Sequence, residues 1–229
     1  MENSTETRSG SSMKCIIREA GPEHRQFLAS AIVEADCSGT SRSAYAALFQ
    51  LNDAELYDLF LRIFELDLED CEYALSAFCV AETEGRAVAA CAAWMEEENS
   101  IPSWQYKLSA LRAALSPDSF SHLLSLQAQV SGIMPARTAG AVQMESVFIL
   151  PEFRGQGLFQ QMLQHQKSRF EGRNSAPELM QIISYDNNET AIRAYQKAGF
   201  REKLKTKIDS AFVKAHYPSC GMVLMELNF

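Results

Sequence analysis

Along the chain, apolar positions switch repeatedly between the two spacings that backbone geometry favours: alternation on a strand and three-to-four spacing on a helix face. "KCIIREA" predicts a first strand. "PEHRQFLASAIVEAD" predicts a helix with Pro22 near its first turn and Phe27, Leu28, Ile32 and Val33 on its apolar side. "SRSAYAALFQL" and "NDAELYDLFLRIFELD" continue as helices, the second opening on an Asn52 or Asp53 cap. "YALSAFCVAETEGRAVAACAAWMEE" carries two apolar segments about Glu84-Gly85 and predicts an antiparallel hairpin. Between Asn99 and Thr138 the spacing is helical again, broken at Pro102, Pro117, Gly132 and Pro135. A strand at "GAVQMESVFIL", a helix over 155–171, a strand at "ELMQIISYD" and a helix at "NETAIRAYQKA", stopped by Gly199, follow in order. The tail adds one further strand and a last one at "GMVLMEL".

Composition narrows the class. With 229 residues, 47% of them hydrophobic, and neither repeats nor a low-complexity linker, the chain predicts one domain over 13–229. A polar tail over 1–12, rich in Ser, Thr and Glu, is expected to be disordered, and the stretch at about 97–138 to be a helical insertion on the sheet. No stretch approaches the roughly 18 apolar residues of a membrane span, and the opening residues lack the apolar centre of a secretory signal. A cytoplasmic protein without a membrane partner is expected. The formal charge of -8 argues against nucleic acid as a partner and leaves a cationic or amine-bearing ligand electrostatically welcome. The six cysteines never form CxxC and read as reduced core residues, and the four histidines are scattered, so no metal is expected.

The candidate chemistry lies at "PEFRGQGLFQQML". A strand, a glycine-containing turn and a helix in succession leave the backbone N–H groups of Gln156 to Phe159 at a helix N-terminus, where the dipole favours an anion. The glycines allow close approach, Arg154 adds a cation, and no acidic residue between Gly155 and Phe170 competes for the position. The segment is not a dinucleotide fingerprint, because Gln160 stands at the third glycine position, and no Gly-Lys-Ser/Thr follows to make a P-loop. A plain tight turn is the competing reading. One strand further on, "NETAIRAYQKAGF" places Asn188, Ala191, Ile192 and Tyr195 along one helix face.

Together, "VFILPEFRGQGLFQQML" and "NETAIRAYQKAGF" resemble the two hallmark segments of the GNAT superfamily of acyl-CoA-dependent N-acyltransferases. Arg154, Gly157 and Phe159 fall on the family's Arg/Gln-x-x-Gly-x-Gly/Ala positions, with Phe159 a departure from the small residue. The second segment matches Asn-x-x-Ala-x-x-x-Tyr-x-Lys-x-Gly-Phe throughout. The resemblance implies an α/β (α+β) fold: a mixed, mostly antiparallel sheet of six or seven strands, with helices on both faces and splayed strands 4 and 5. It implies acetyl-CoA as co-substrate, its pyrophosphate on the amides of Gly155, Gln156, Gly157, Leu158 and Phe159, and its pantetheine along Val147, Phe148 and Ile149. Asn188 and Ala191 are expected beside it. An exposed last strand pairing across a homodimer is a further possibility that the superfamily offers.

The implied reaction is acetyl transfer to a primary amine of a small molecule or peptide. Tyr195 is then the acid that protonates the leaving thiolate. Glu145, inside the fourth strand and by alternation on the face of Val147 and Ile149, is the candidate base, against the reading of a solvated or salt-bridged strand residue. Glu96 and Glu97 are candidates for the acceptor pocket against a solvent-facing charge run, and Tyr45, Phe49, Trp94, Trp104 and Tyr106 for an apolar wall against ordinary core. Transfer of a longer acyl chain, or to a hydroxyl, satisfies the same motifs. A non-catalytic acyl-CoA-binding or sensing module is the alternative from another class, and the presence of Tyr195 argues against it.

Overall fold

The structure, a computed structural model, describes residues 15–66, 68, 69, 71–171 and 176–229, so the tail expected over 1–12 lies outside the described residues. Seven strands form one sheet in the order β1-β2-β3-β4-β5-β7-β6. β1 (Ile16–Glu19), β2 (Phe78–Thr83), β3 (Arg86–Met95) and β4 (Val142–Ile149) pair antiparallel in turn. β4 and β5 (Leu179–Tyr185) are parallel, and β7 (Gly221–Asn228) lies between β5 and β6 (Arg201–Lys207), antiparallel to both. The hairpin turn at Glu84 and Gly85 has φ of 51° and 74°, the doubly left-handed geometry that matches the twist of a two-residue hairpin.

Between β1 and β2 run α1 (Arg25–Cys37), α2 (Ala44–Phe49) and α3 (Asp53–Ile63). Asn52 caps α3 by accepting from the Ala54 and Glu55 amides, while Glu55 accepts from the Asn52 amide at 2.8 Å, a reciprocal capping box. Between β3 and β4 come α4 (Ser103–Ala114), α5 (Pro117–Ser125) and the single turn α6 (Gln127–Val130). α7 (Leu158–Phe170) and α8 (Glu189–Lys197) follow β4 and β5. A short helix unmarked in the sequence reading, α9 (Ala211–His216), is capped by Ser210 and separates β6 from β7. The tail's last strand is therefore internal, and the sheet edge is β6, which carries Arg201, Lys203, Lys205 and Lys207. The expectation of an exposed last strand therefore does not hold, and the strand that is exposed carries lysines, which discourage strand addition.

Helices cover both faces of the sheet. Leu28, Ile32, Leu56, Phe60 and Leu111 pack on Val80, Ala90, Ala92 and Trp94 on one side. Phe159, Met162, Phe170 and Tyr195 pack on Cys79, Cys91, Met144 and Val223 on the other. The alanines of β3 leave room for both helical layers to approach closely. All six cysteines are free, with Cys71, Cys79 and Cys91 buried and Cys15, Cys37 and Cys220 half-buried.

At the other edge, Glu82 ties β2 to β1 and to the entry of α1. It accepts from Arg18 Nε at 2.6 Å and pairs with His24 Nε2 at 2.9 Å. These bonds, Arg18's foremost, hold the carboxyl down at about 2, against an ordinary 4.5. A depressed folded value contributes stability above the unfolded pKa that is lost as pH falls through the folded one. Urea midpoints are therefore expected to drop between about pH 4.5 and about pH 2, with a shallower drop in Glu82→Gln.

Candidate active site

β4 and β5 share only three paired positions, Val142 with Met180, Gln143 with Gln181 and Met144 with Ile182. Beyond them the strands part. A cavity of about 890 Å³ opens in the gap, walled by β4 from Glu145 to Ile149, the end of β5, the first turn of α7, one side of α8 and the C-terminal end of α1. Leu150 N–H donates to Val88 O at 2.9 Å on the β3 side. Strand alternation then turns the Ile149 amide and carbonyl the other way, toward the gap.

The β4 side chains do not follow simple alternation. Ser146 has φ of 52°, and β3 and β4 slip register between Ala90 and Ala92, so an extra β4 residue stands opposite Cys91. Glu145, paired with Ala92, shares its face with Phe148, paired with Ala90. Val147 and Ile149 pack with the opposite cluster. The expectation that Glu145 shares the face of Val147 and Ile149 is thus corrected by one bulge. Glu145 still lines the cavity, in an ion pair with Arg137. Burial pushes its carboxyl above the ordinary value, only partly opposed by Arg137.

The glycine turn behaves largely as its composition suggests. Gly155 and Gly157 have φ of 73° and 76°, and a Cβ on either would meet nothing within 4 Å. That open space beside a helix N-terminus is a cradle that a side chain would fill and a coenzyme A pyrophosphate can occupy. α7 begins at Leu158, and its first capping bond runs from Gln161 N–H to Gly157 O at 3.2 Å. The amides without an intrahelical acceptor are consequently those of Gly157, Leu158, Phe159 and Gln160. This window lies one residue beyond the expected Gln156 to Phe159. Gln160 lines the cavity; Gln156 instead donates its side-chain amide to Glu152 O at 3.2 Å. Arg154 Nε is anchored on Ile149 O at 3.0 Å, at the cavity rim. Gly157→Val is expected to weaken acetyl-CoA binding at least tenfold by calorimetry, because its side chain fills the cradle, while about 1–2 kcal/mol of left-handed strain lowers the stability of the free protein.

Phe159, in place of the family's small residue, turns inward and packs on Tyr195 with ring centroids 5.1 Å apart. Tyr195 is 7% exposed and lines the cavity from α8, with Phe200 behind it at 6.2 Å. Burial, then the neighbouring Cys91 and Glu145, drives its phenol well above the usual range. The hydroxyl therefore stays protonated at any working pH. Asn188 and Ala191 also line the cavity, but the Asn188 side chain is committed: Oδ1 accepts from Ala191 N–H at 3.1 Å and Nδ2 donates to Ser38 Oγ at 2.7 Å.

Glu34, Asp36, Tyr45, Met134 and Tyr185 complete the wall on the side away from α7, a grouping drawn from four separated stretches. Of the five expected wall aromatics only Tyr45 is there; Phe49 stacks behind it at 5.5 Å and Trp104 is 56% exposed. Glu96 is no solvent-facing charge. It is buried, accepting from Ser103 N–H at 2.9 Å and Ser103 Oγ at 2.6 Å. Among the described residues no group of three or more His, Cys, Asp or Glu is placed to hold a metal ion, and no helix is long and apolar enough to cross a membrane.

A parallel pair that splays around a cavity, with a glycine turn and a helix N-terminus at one end and a tyrosine on its wall, is the arrangement that the resemblance to acyl-CoA-dependent acyltransferases implies. Residues 45–200 match the family model "Acetyltransferase (GNAT) family", and the chain belongs to that family, as an acyl-CoA-dependent acetyltransferase. No curated protein is significantly similar in sequence. Solved structures share the fold at low identity. An N-acetyltransferase from Staphylococcus aureus Mu50 is 16% identical over 93% of this chain and 100% of its own, with a TM-score of 0.63. An agmatine N-acetyltransferase variant is 15% identical over 94% of this chain and 99% of its own, at 0.55. A Salmonella typhimurium protein solved with its cofactor acetyl-CoA is 13% identical over 94% of both chains, at 0.51.

Proposed function

We propose that this protein transfers the acetyl group of acetyl-CoA directly to a primary amine of a small molecule or peptide. The observation that carries the reading is that Tyr195 stands on the wall of the same cavity into which the α7 amides and the unpaired edge of β4 open. When bound, acetyl-CoA supplies an activated acetyl carbon and a thiolate leaving group.

The residues divide the remaining work. Leu158, Phe159 and Gln160 offer backbone N–H groups to the pyrophosphate, with Arg154 beside them. The gap-facing amide of Ile149 is a preorganised donor for charge developing on the thioester carbonyl oxygen. Tyr195 gives its proton to sulfur. Because burial raises the phenol, that transfer has to accompany C–S cleavage rather than precede it. Glu145 receives the amine proton. Glu34, Asp36 and Glu145 suit an acceptor that arrives as a cation, and a structurally similar protein is an agmatine N-acetyltransferase. The stretch 97–138 is read as an insertion in a single domain, and its Met134 lines the acceptor side.

Thiol release from acetyl-CoA with a panel of polyamines, agmatine, amino acids, aminoglycosides and short peptides tests the reading. Amine-dependent release supports it. Failure of the folded protein to bind coenzyme A in a titration overturns it.

A further inference from the structure

Glu145 sits in more charge than a simple base requires. Arg137 Nη2 donates to its Oε1, and Arg137 Nη1 donates to Ser103 Oγ at 3.0 Å. The same guanidinium lies over the Trp94 ring, 5.0 Å from the centroid. Behind these groups the buried Glu96 carboxylate accepts from Ser103 Oγ and, at 3.4 Å, from Trp94 Nε1. Arg137 is thereby gripped by the end of β3 and the start of α4, and its fork bridges Ser103 to the one carboxylate of β4 that reaches the cavity. Glu72, Lys107, Tyr45 and Tyr195 also interact electrostatically with Glu145, from the loop between α3 and β2 and from α4, α2 and α8.

We infer that Arg137 is a positioning residue for the acceptor half of the reaction: clamped by Trp94 and Ser103, it holds Glu145 ionised at the cavity wall, oriented to take the amine proton. The inference rests on the proposed function. In the step it serves, the acceptor reacts as its neutral amine, a cationic amine having first lost its extra proton to solvent, and an N–H bond breaks as an O–H bond forms on Glu145. The new N–C bond replaces the C–S bond, sulfur takes the Tyr195 proton, and no net oxidation occurs. Without the guanidinium, the burial that raises this carboxyl would lose its closest opposing charge, so Glu145 would bind its proton more tightly and accept another less readily. The helical stretch between β3 and β4 then supplies part of the reaction apparatus as well as a cover for the acceptor.

The test compares wild type with Arg137→Gln, Arg137→Lys and Glu145→Gln. With acetyl-CoA and either agmatine or phenethylamine as probes, the acid limb of kcat/KM is expected to move up by about 1–3 pH units in Arg137→Gln. It should stay near the wild-type position in Arg137→Lys and vanish in Glu145→Gln, with KM for acetyl-CoA unchanged throughout. The lysine variant should still lose about tenfold in kcat, because a single ammonium cannot reproduce the fork between Ser103 and Glu145.

A second readout needs no acceptor. A double-mutant cycle of Arg137→Gln and Glu145→Gln in urea unfolding should give a coupling of about tenfold in the unfolding constant at pH 8. That coupling should disappear as pH falls through the raised folded value of Glu145. An unmoved acid limb, or a coupling that does not change with pH, overturns the inference. Should Arg137→Gln fail to fold, the lysine variant decides, since wild-type kcat and KM there would exclude a positioning role. Wild-type protein without amine-dependent thiol release would instead refute the proposed function, while the unfolding cycle would still judge the ion pair.

Discussion

Tyr195→Phe is expected to lower kcat by about 10²–10⁴-fold, the usual worth of a positioned acid. Binding of acetyl-CoA should change little, because the variant deletes one hydroxyl and keeps the ring that packs against Phe159 at 5.1 Å and Phe200 at 6.2 Å. Among the described residues no protein group hydrogen-bonds that hydroxyl, so its loss leaves no partner unsatisfied and the fold should be undisturbed. Steady-state thiol release and coenzyme A titration, run on both proteins, separate the two effects. A variant within a few-fold of wild-type kcat would assign the thiolate's proton to solvent and remove Tyr195 from the mechanism.

Lys107→Met is expected to have the largest effect on stability, about 3–5 kcal/mol at neutral pH. Glu72 is 1% exposed, Lys107 Nζ is 2.5 Å from its Oε1, and Oε2 has no hydrogen-bond partner among the described residues. Removing the ammonium strands a buried carboxylate and also empties a position over the Tyr45 and Tyr73 rings, 5.2 and 4.9 Å from their centroids. Burial alone would raise Glu72, but Lys107, with Arg137, holds it below its ordinary value. In the variant the sign reverses. A raised folded value favours the native state only below the unfolded pKa and costs stability as pH rises. The gap between the urea curves of the two proteins should therefore widen from about pH 4 to pH 8, and Glu72→Gln in the Lys107→Met background should recover most of it. A gap constant across that range would show that methylene packing, and not the charge, accounts for the loss.

Much of the fold was legible because its signals are local. The hairpin about Glu84-Gly85, the Asn52 cap and the two glycines before α7 each depend on backbone preferences of a few adjacent residues. The helix N-terminus before α7 and the residues along one face of α8 were legible for the same reason, since each is written within one short segment, and both border the cavity. α9 was missed because its single apolar turn is too short to show a period. The face of Glu145 was misread because Ser146 carries the bulge at φ 52°, where glycine would have signalled it.

The sequence alone marked the seven strands and the longer helices in order, the glycine turn at Gly155 to Gly157 and the candidate acid Tyr195, since these follow from short-range periodicity and backbone freedom. The resemblance implied that β4 and β5 splay; only the tertiary structure decided that they part after Met144 and Ile182, that the last strand lies inside the sheet, and that Arg137 meets Glu145, Ser103 and Trp94. Those contacts join positions up to several dozen residues apart, where pattern carries no distance. Whether a charge on this chain is solvated or buried in a pair is fixed by what the sheet and helices bring beside it.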